Sequence, residues 1–175
     1  ASAFVELGTG RTVRRISAGY HHTCALLDDY SVKCWGRNNQ GQLGIGSTAT
    51  IGDGAGEMGD SLAVTDLGSV SYPVDIYSAG YSNCALFNNG SVKCWGYNAH
   101  GQLGLEDTNH RGNNGGEMGD NLPFVDFGTS ETASTLSMSE RTTCVITSSN
   151  ELKCWGDNTY GQLGIGSTAR IGNNL

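Results

Sequence analysis

Short apolar runs alternate along this chain with long glycine-rich stretches. Residues 16–18 form the first run, residues 23–27 a second and residues 31–35 a third. Residues 62–67 add a segment in which apolar and polar positions alternate. Each run is too short for a helix, and the pattern predicts β-strands. Between the third and fourth lie residues 36–60, without apolar periodicity and too rich in glycine for a helix interior. That stretch is predicted to be a loop.

The whole pattern then returns with a period of 60 residues. Lys33-Cys34-Trp35-Gly36 recurs at residues 93–96 and 153–156, and Gly41-Gln42-Leu43-Gly44 recurs at 101–104 and 161–164. Gly56-Glu57-Met58-Gly59-Asp60 recurs at 116–120, and residues 62–68 match 122–128 and, more loosely, 3–8. The copies are residues 1–60, 61–120 and 121–175, three periods less five residues, in one continuous repeat domain. The chain is expected to be either an excerpt from a longer array or a natural unit of three. Four short strands per repeat is the pattern of a β-propeller blade or a related array. The fold class expected is all-β: three tandem four-stranded propeller-type blades, as a partial propeller or an open array. A lone blade cannot bury both faces of its sheet, so Trp35, Trp95 and Trp155 are expected between neighbouring blades.

Each copy carries two cysteines ten positions apart: Cys24 and Cys34, Cys84 and Cys94, Cys144 and Cys154. Asn88-Asn89-Gly90 lies between the second pair and fits a three-residue hairpin loop, whose third residue must be left-handed. Asn150 tolerates that conformation. Tyr30 is a poorer fit, and its turn is expected to differ or to be strained. With this loop Leu27 closes on Ser31, and counting outward sets Cys24 opposite Cys34 as a non-hydrogen-bonded pair. Their Cα atoms would lie about 4.5 Å apart, at the lower end of disulfide range. Three disulfides within the blades are therefore expected, each contributing about 2–3 kcal/mol. Six buried free thiols are the alternative. Zinc does not fit, because no Cys-x-x-Cys pair exists. Disulfides would place the protein outside the reducing cytosol, extracellular or at the cell surface. No signal peptide opens the sequence, as expected of a mature chain or an excerpt.

Charge narrows the partners. The formal net charge is −7, and Arg11, Arg14 and Arg15 are the only basic cluster, which argues against nucleic acid. No run of about 18 apolar residues exists, so no membrane span is expected.

Residues 17–26, Val32-Lys33-Cys34-Trp35-Gly36 and Asn39-Gln40-Gly41-Gln42-Leu43-Gly44 together resemble the regulator of chromosome condensation repeat family. Ser78-Ala79-Gly80-Tyr81 and Trp95-Gly96 repeat the likeness in the second copy, and Cys154-Trp155-Gly156 in the third. The resemblance implies four-stranded propeller blades. The family's repeat is shorter and its ring has more blades, so three copies imply self-association, a longer polypeptide or an open array. The family is known for guanine-nucleotide exchange and chromatin binding. The acidic balance, the paired cysteines and the want of a basic tail do not fit that role.

Candidate chemistry is sparse. Asp53, Glu57 and Asp60, with Glu117 and Asp120 in the next copy, gather oxygen ligands on glycine-rich loops. Calcium is the cation such loops would take, but the order of a known calcium loop is missing. The other reading is carboxylates that cap backbone amides. His21 and His22 have Ser82 and Thr142 among their counterparts, so no metal or acid–base set recurs. No nucleophile–base–acid set is present, and no enzyme is expected. Asn89-Gly90-Ser91 is a glycosylation sequon at a hairpin tip. Residues 129–149, rich in Ser and Thr, would carry O-linked sugars or form a polar outer strand. The expected function is a non-enzymatic extracellular structural or adhesive assembly module, such as a filament or surface-coat subunit. A secreted binder or inhibitor of another protein is the second reading, and an exchange-type regulator the third.

Overall fold

A computed structural model describes residues 4–173. Ala1 to Ala3, Asn174 and Leu175 lie outside the described residues, and with them the loose match at residue 3 and the phase of the two ends. Among the described residues nine strands form three antiparallel sheets of three, one per copy. The first holds β1 (Val13–Ala18), β2 (His22–Leu27) and β3 (Val32–Gly36). The second holds β4 (Pro73–Ala79), β5 (Ser82–Phe87) and β6 (Val92–Gly96). The third holds β7 (Ala133–Met138), β8 (Thr142–Thr147) and β9 (Leu152–Gly156).

The β2–β3 hairpin and its two repeats follow from their turns. Tyr30, Gly90 and Asn150 take φ of 65°, 77° and 64°. The Leu27 amide donates to the Ser31 carbonyl at 2.9 Å, closing the loop. Tyr30 therefore adopts the same turn as its counterparts. Its ring lies 4.4 Å from that of Tyr72, with the Arg14 guanidinium 4.5 Å away, contacts that offset the backbone cost. The register sets Cys24 opposite Cys34, Cys84 opposite Cys94 and Cys144 opposite Cys154. All three pairs are closed as disulfides, each with Cα atoms 4.1 Å apart.

The inner strands begin earlier than the apolar pattern predicts. A register shift, between Val13 and Arg15 in β1, recurs in β4 and β7. This bulge breaks the two-residue alternation, so only residues 16–18 are visible as a strand in the first copy. The fourth segment keeps its place beside the third strand but adds little pairing. Val64 bridges Lys33, and the Thr65 amide donates to the Val32 carbonyl at 2.8 Å. Asp66 then turns the chain, its carboxylate taking the Gly68 amide at 2.9 Å with Gly68 at φ 89°. Asp126 does the same to the Gly128 amide at 2.7 Å. The first two blades are thus three-stranded sheets with a fourth edge one or two hydrogen bonds long, supplied by the following copy.

Neighbouring blades share cores. The Cys24–Cys34 disulfide, Leu26, Val32 and Leu43 pack against Ile76, Ala85, Phe87 and Trp95 of the next copy. Cys84, Cys94, Leu86, Val92 and Leu103 meet Leu136, Val145 and Trp155 in the same way. Each interface has a tryptophan hydrogen bond at the same repeat position. The Trp95 indole donates to the Gln42 carbonyl at 3.1 Å, and Trp155 to that of Gln102 at 3.0 Å.

The lysine of each Lys-Cys-Trp-Gly motif is part of the scaffold. Lys93 is 2% exposed, and its ammonium donates to the carbonyls of Leu67 at 2.9 Å and Gly119 at 2.8 Å. It ties the fourth segment to the long loop. Burial pushes its pKa down, against the pull of Asp120 and Asp66. Lys33 and Lys153 bond the carbonyls of Gly59 at 2.9 Å and Phe127 at 2.7 Å.

Lys93→Met keeps the stem but strands the Leu67 carbonyl, while the Gly119 carbonyl keeps the Leu122 amide, so it is expected to cost about 1–3 kcal/mol in urea unfolding. Lys153→Met, at a half-exposed site, is expected to cost about 1 kcal/mol or less. The disulfides should also differ. Cys24, Cys34, Cys84 and Cys94 are at most 1% exposed, while Cys144 and Cys154 are partly open. Graded reduction with alkylation mapping is expected to label Cys144 and Cys154 first.

Candidate interaction site

The acidic loop residues are spread out and mostly occupied. Glu57 accepts the amides of Gly52 at 2.7 Å and Gly54 at 2.9 Å, and these bonds hold its carboxyl below the usual range. Glu117 accepts three amides, Gly112 to Asn114, at 2.9–3.1 Å and the Asn114 side chain at 2.9 Å. Asp60 takes the Thr9 hydroxyl at 2.6 Å and its amide at 2.8 Å. Asp120 takes the Ser69 amide at 2.9 Å and hydroxyl at 3.1 Å. Both aspartates titrate below their ordinary range because of these donors. Asp53 stands exposed at the loop tip. Among the described residues no group of three or more His, Cys, Asp or Glu is placed to hold a metal ion.

The two adjacent histidines part company. His21 is exposed. His22 is 3% exposed and lies between the first two blades. Its Nε2 donates to Asn83 Oδ1 at 2.8 Å, and Asn83 in turn donates to the Gln42 carbonyl at 2.7 Å. Its Nδ1 is buried without a partner among the described residues. Burial pushes the His22 pKa down, only partly opposed by the Asn83 bond. His22 is thus a neutral core residue.

Asn89 is exposed at the β5–β6 tip, its side-chain oxygen taking the Ser91 hydroxyl at 2.7 Å. Within residues 129–149, Ser134, Thr135 and Ser137 face outward, whereas Thr143 is buried and bonds the Gln102 carbonyl at 2.9 Å.

A different group forms where the β1–β2, β4–β5 and β7–β8 turns converge. The Tyr20 amide donates to the Gly80 carbonyl at 2.9 Å. The Tyr20 phenol donates to Glu140 Oε2 at 2.9 Å, reaching past the second blade to the third. That bond raises the phenol's pKa. The Tyr20 and Tyr81 rings meet edge to face with centroids 5.5 Å apart. The Arg37 guanidinium lies 5.6 Å from the Tyr81 ring, and Arg141 pairs with Glu140 at 3.3 Å. Tyr20 is still 54% exposed. The result is an open patch with two tyrosines and both signs of charge, a composition suited to gripping another protein. Sequence comparison between copies misses it. Tyr20, Gly80 and Glu140 occupy one repeat position, and His21, Tyr81 and Arg141 the next.

The model of the regulator of chromosome condensation (RCC1) repeat matches residues 13–42, 74–102 and 134–162, half of the chain. The chain belongs to this repeat family. The X-linked retinitis pigmentosa GTPase regulator of Canis lupus familiaris is 29% identical over 158 residues, 89% of this chain and 14% of that protein. The probable E3 ubiquitin-protein ligase HERC4 of Homo sapiens is 34% identical over 97 residues, 55% of this chain and 8% of that protein. This chain therefore spans only a small part of either relative. Among solved structures, Prp20p of Saccharomyces cerevisiae superimposes with a TM-score of 0.68 at 17% identity, covering 92% of this chain and 37% of that one. The CRINKLY WD40 ectodomain of the Arabidopsis thaliana receptor kinase ACR4 gives 0.54 at 18% identity, covering 91% and 46%. These likenesses establish the propeller fold.

The depressed His22 pKa makes stability depend on pH. The folded state favours the neutral ring, so its contribution is complete above the ordinary histidine pKa of about 6.5 and is lost as pH falls below it. The urea midpoint is expected to drop between pH 7 and pH 5.5. His22→Gln, which keeps a donor for Asn83, should reduce that slope; the remainder comes from His100 and His110, whose pKa values burial also lowers.

Proposed function

We propose that this chain is a non-enzymatic protein-interaction module of the cell exterior, which grips a protein partner with the converging turns of its blades. The patch of Tyr20, Tyr81, Arg37, Glu140 and Arg141 carries this reading. It is the place where three repeats present unlike side chains to solvent on one rigid base. The rest of the ionisable inventory supports a non-enzymatic role. Glu57, Glu117, Asp60 and Asp120 serve backbone amides or hydroxyls, Lys93 serves carbonyls and His22 serves Asn83. The three disulfides support an oxidising compartment. Protein binding is in keeping with the family, since yeast RCC1 (Prp20) was solved bound to Kap60. The GTPase regulation in the name of one relative is not part of the proposal.

A structural assembly role is the second reading. It is favoured by the junction between blades, which this chain makes twice from the same repeat positions and which suits the stacking of further copies.

Two measurements test the first reading. Non-reducing peptide mapping of protein from its native source should find all six cysteines paired; an alkylatable Cys24 would remove the exterior location. Tyr20→Ala with Arg37→Ala is expected to weaken binding to the surface of the source organism's cells at least about tenfold, as hot-spot loss does, while the circular dichroism spectrum stays that of the folded parent. Unchanged binding would show that the turns are not the contact.

A further inference from the structure

Two Asn-Gly pairs occur in this chain, Asn89-Gly90 and Asn114-Gly115, both in the second copy. Asparagine is a thermolabile residue, and a following glycine opens a route for its loss. The glycine amide nitrogen attacks the asparagine Cγ. A five-membered imide forms as the Cγ–Nδ2 bond breaks, and ammonia leaves with the proton of the attacking amide. Water then opens the imide at either carbonyl and gives aspartate or isoaspartate. Glycine favours the closure because no Cβ crowds the ring and its backbone turns freely. The fold decides whether the glycine N–H is already engaged and whether the segment can bend.

At the β5–β6 tip both conditions fail. The Gly90 amide donates to the Phe87 carbonyl at 2.9 Å. Asn89 Oδ1 accepts the Ser91 amide at 3.1 Å and its hydroxyl at 2.7 Å. The tip is also packed, since a Cβ on Gly90 would lie 2.6 Å from the Thr132 Cβ. Closing the imide there means opening the turn that sets the hairpin register.

The loop at residues 112–117 is the reverse. The Gly115 amide makes no hydrogen bond among the described residues. A Cβ on Gly115 or on Gly116 would meet nothing within 4 Å, and Asn114 is exposed. Asp53 and Gly54, at the positions of Asn113 and Asn114 one copy earlier, are exposed with a following copy in place, so the openness belongs to the loop.

Asn114 also has a task in that loop. Its Nδ2 donates to Glu117 Oε1 at 2.9 Å, while Glu117 Oε2 accepts the amides of Gly112, Asn113 and Asn114 at 2.9–3.1 Å. The capped loop lies against the first blade. The Gly46 amide donates to the Gly112 carbonyl at 3.1 Å, and a Cβ on Gly46 would lie 3.3 Å from the Gly115 Cα.

We propose that Asn114 is a self-modification site, deamidating through Gly115 with water as the only co-reactant, and that the carboxylate so formed loosens the second long loop from the first blade. A donor to Glu117 becomes a second negative charge at hydrogen-bond distance, and the two repel. Isoaspartate also adds a methylene to the main chain beside Gly46. The change is irreversible, so the chain carries a record of its age at a junction between blades.

The test keeps the purified chain in warm, mildly alkaline buffer and follows it by tryptic mapping, which separates the two pairs at Lys93 and Arg111. Conversion of amide to acid, with isoaspartate among the products, is expected at Asn114 at least about tenfold faster than at Asn89, the rate cost of opening the hydrogen bonds of the tip. Asn114→Gln keeps an amide but needs a larger ring and should abolish the reaction; Gly115→Ala, in open space, should slow it. Hydrogen exchange reads the consequence. The Gly46 amide should exchange faster in Asn114→Asp and in the aged parent than in Asn114→Gln. Conversion of Asn89 or Asn113 ahead of Asn114 would overturn the assignment of the site. Equal Gly46 exchange in Asn114→Asp and Asn114→Gln would overturn the loosening.

Discussion

A three-residue turn with a left-handed third residue fixes the register of every β2–β3-type hairpin. From that register the cysteines come to lie directly opposite each other, on the face turned toward the next blade. A loop one residue shorter would send the two sulfurs to opposite faces of the sheet. The disulfide then does two jobs. It limits the freedom of the unfolded hairpin, and it supplies part of the apolar surface on which the next copy's tryptophan and an aliphatic residue, Ile76 or Leu136, pack. Stability within a blade and recognition between blades therefore share the same atoms.

The junction is specified as much by hydrogen bonds as by area. A buried main-chain carbonyl, that of Gln42 or Gln102, is left over by the glycine-rich turn that follows each hairpin. It is satisfied only from outside its own copy, by an indole and by Asn83 or Thr143. An unpaired carbonyl at such a place would be costly. The contact therefore selects a neighbour built on the same repeat, and a generic apolar surface would not serve.

Much of this was legible in the sequence because it recurs. The period, the hairpins, the cysteine register and the tryptophan junctions all appear three times. What repetition did not reveal falls into two kinds. Some features are hidden by local geometry: the bulge in each first strand erases its alternation, and Asp66 and Asp126 turn the chain away after the fourth segment has made little pairing. Lys93 is hidden differently, since a lysine in a strand ordinarily points to water, and only the fold brings two carbonyls to its end. The turn patch is hidden because it does not recur. Tyr20, Tyr81 and Glu140 are unlike residues that become neighbours when three blades fan round a common axis. The carboxylates of the long loops lay between the alternatives the sequence left open, and the amides they accept are main-chain groups that no sequence pattern displays.

The Tyr20–Glu140 bond has a consequence for how the molecule comes apart. Stacked repeats ordinarily couple only to the copy beside them, and so can fray from either end one module at a time. Here a phenol in the first module holds a carboxylate in the third, across the whole width of the second. Loosening the first or the third module gives up a tie to the other as well as its contact with the one between them. The array is thereby drawn toward losing its structure in a single concerted event.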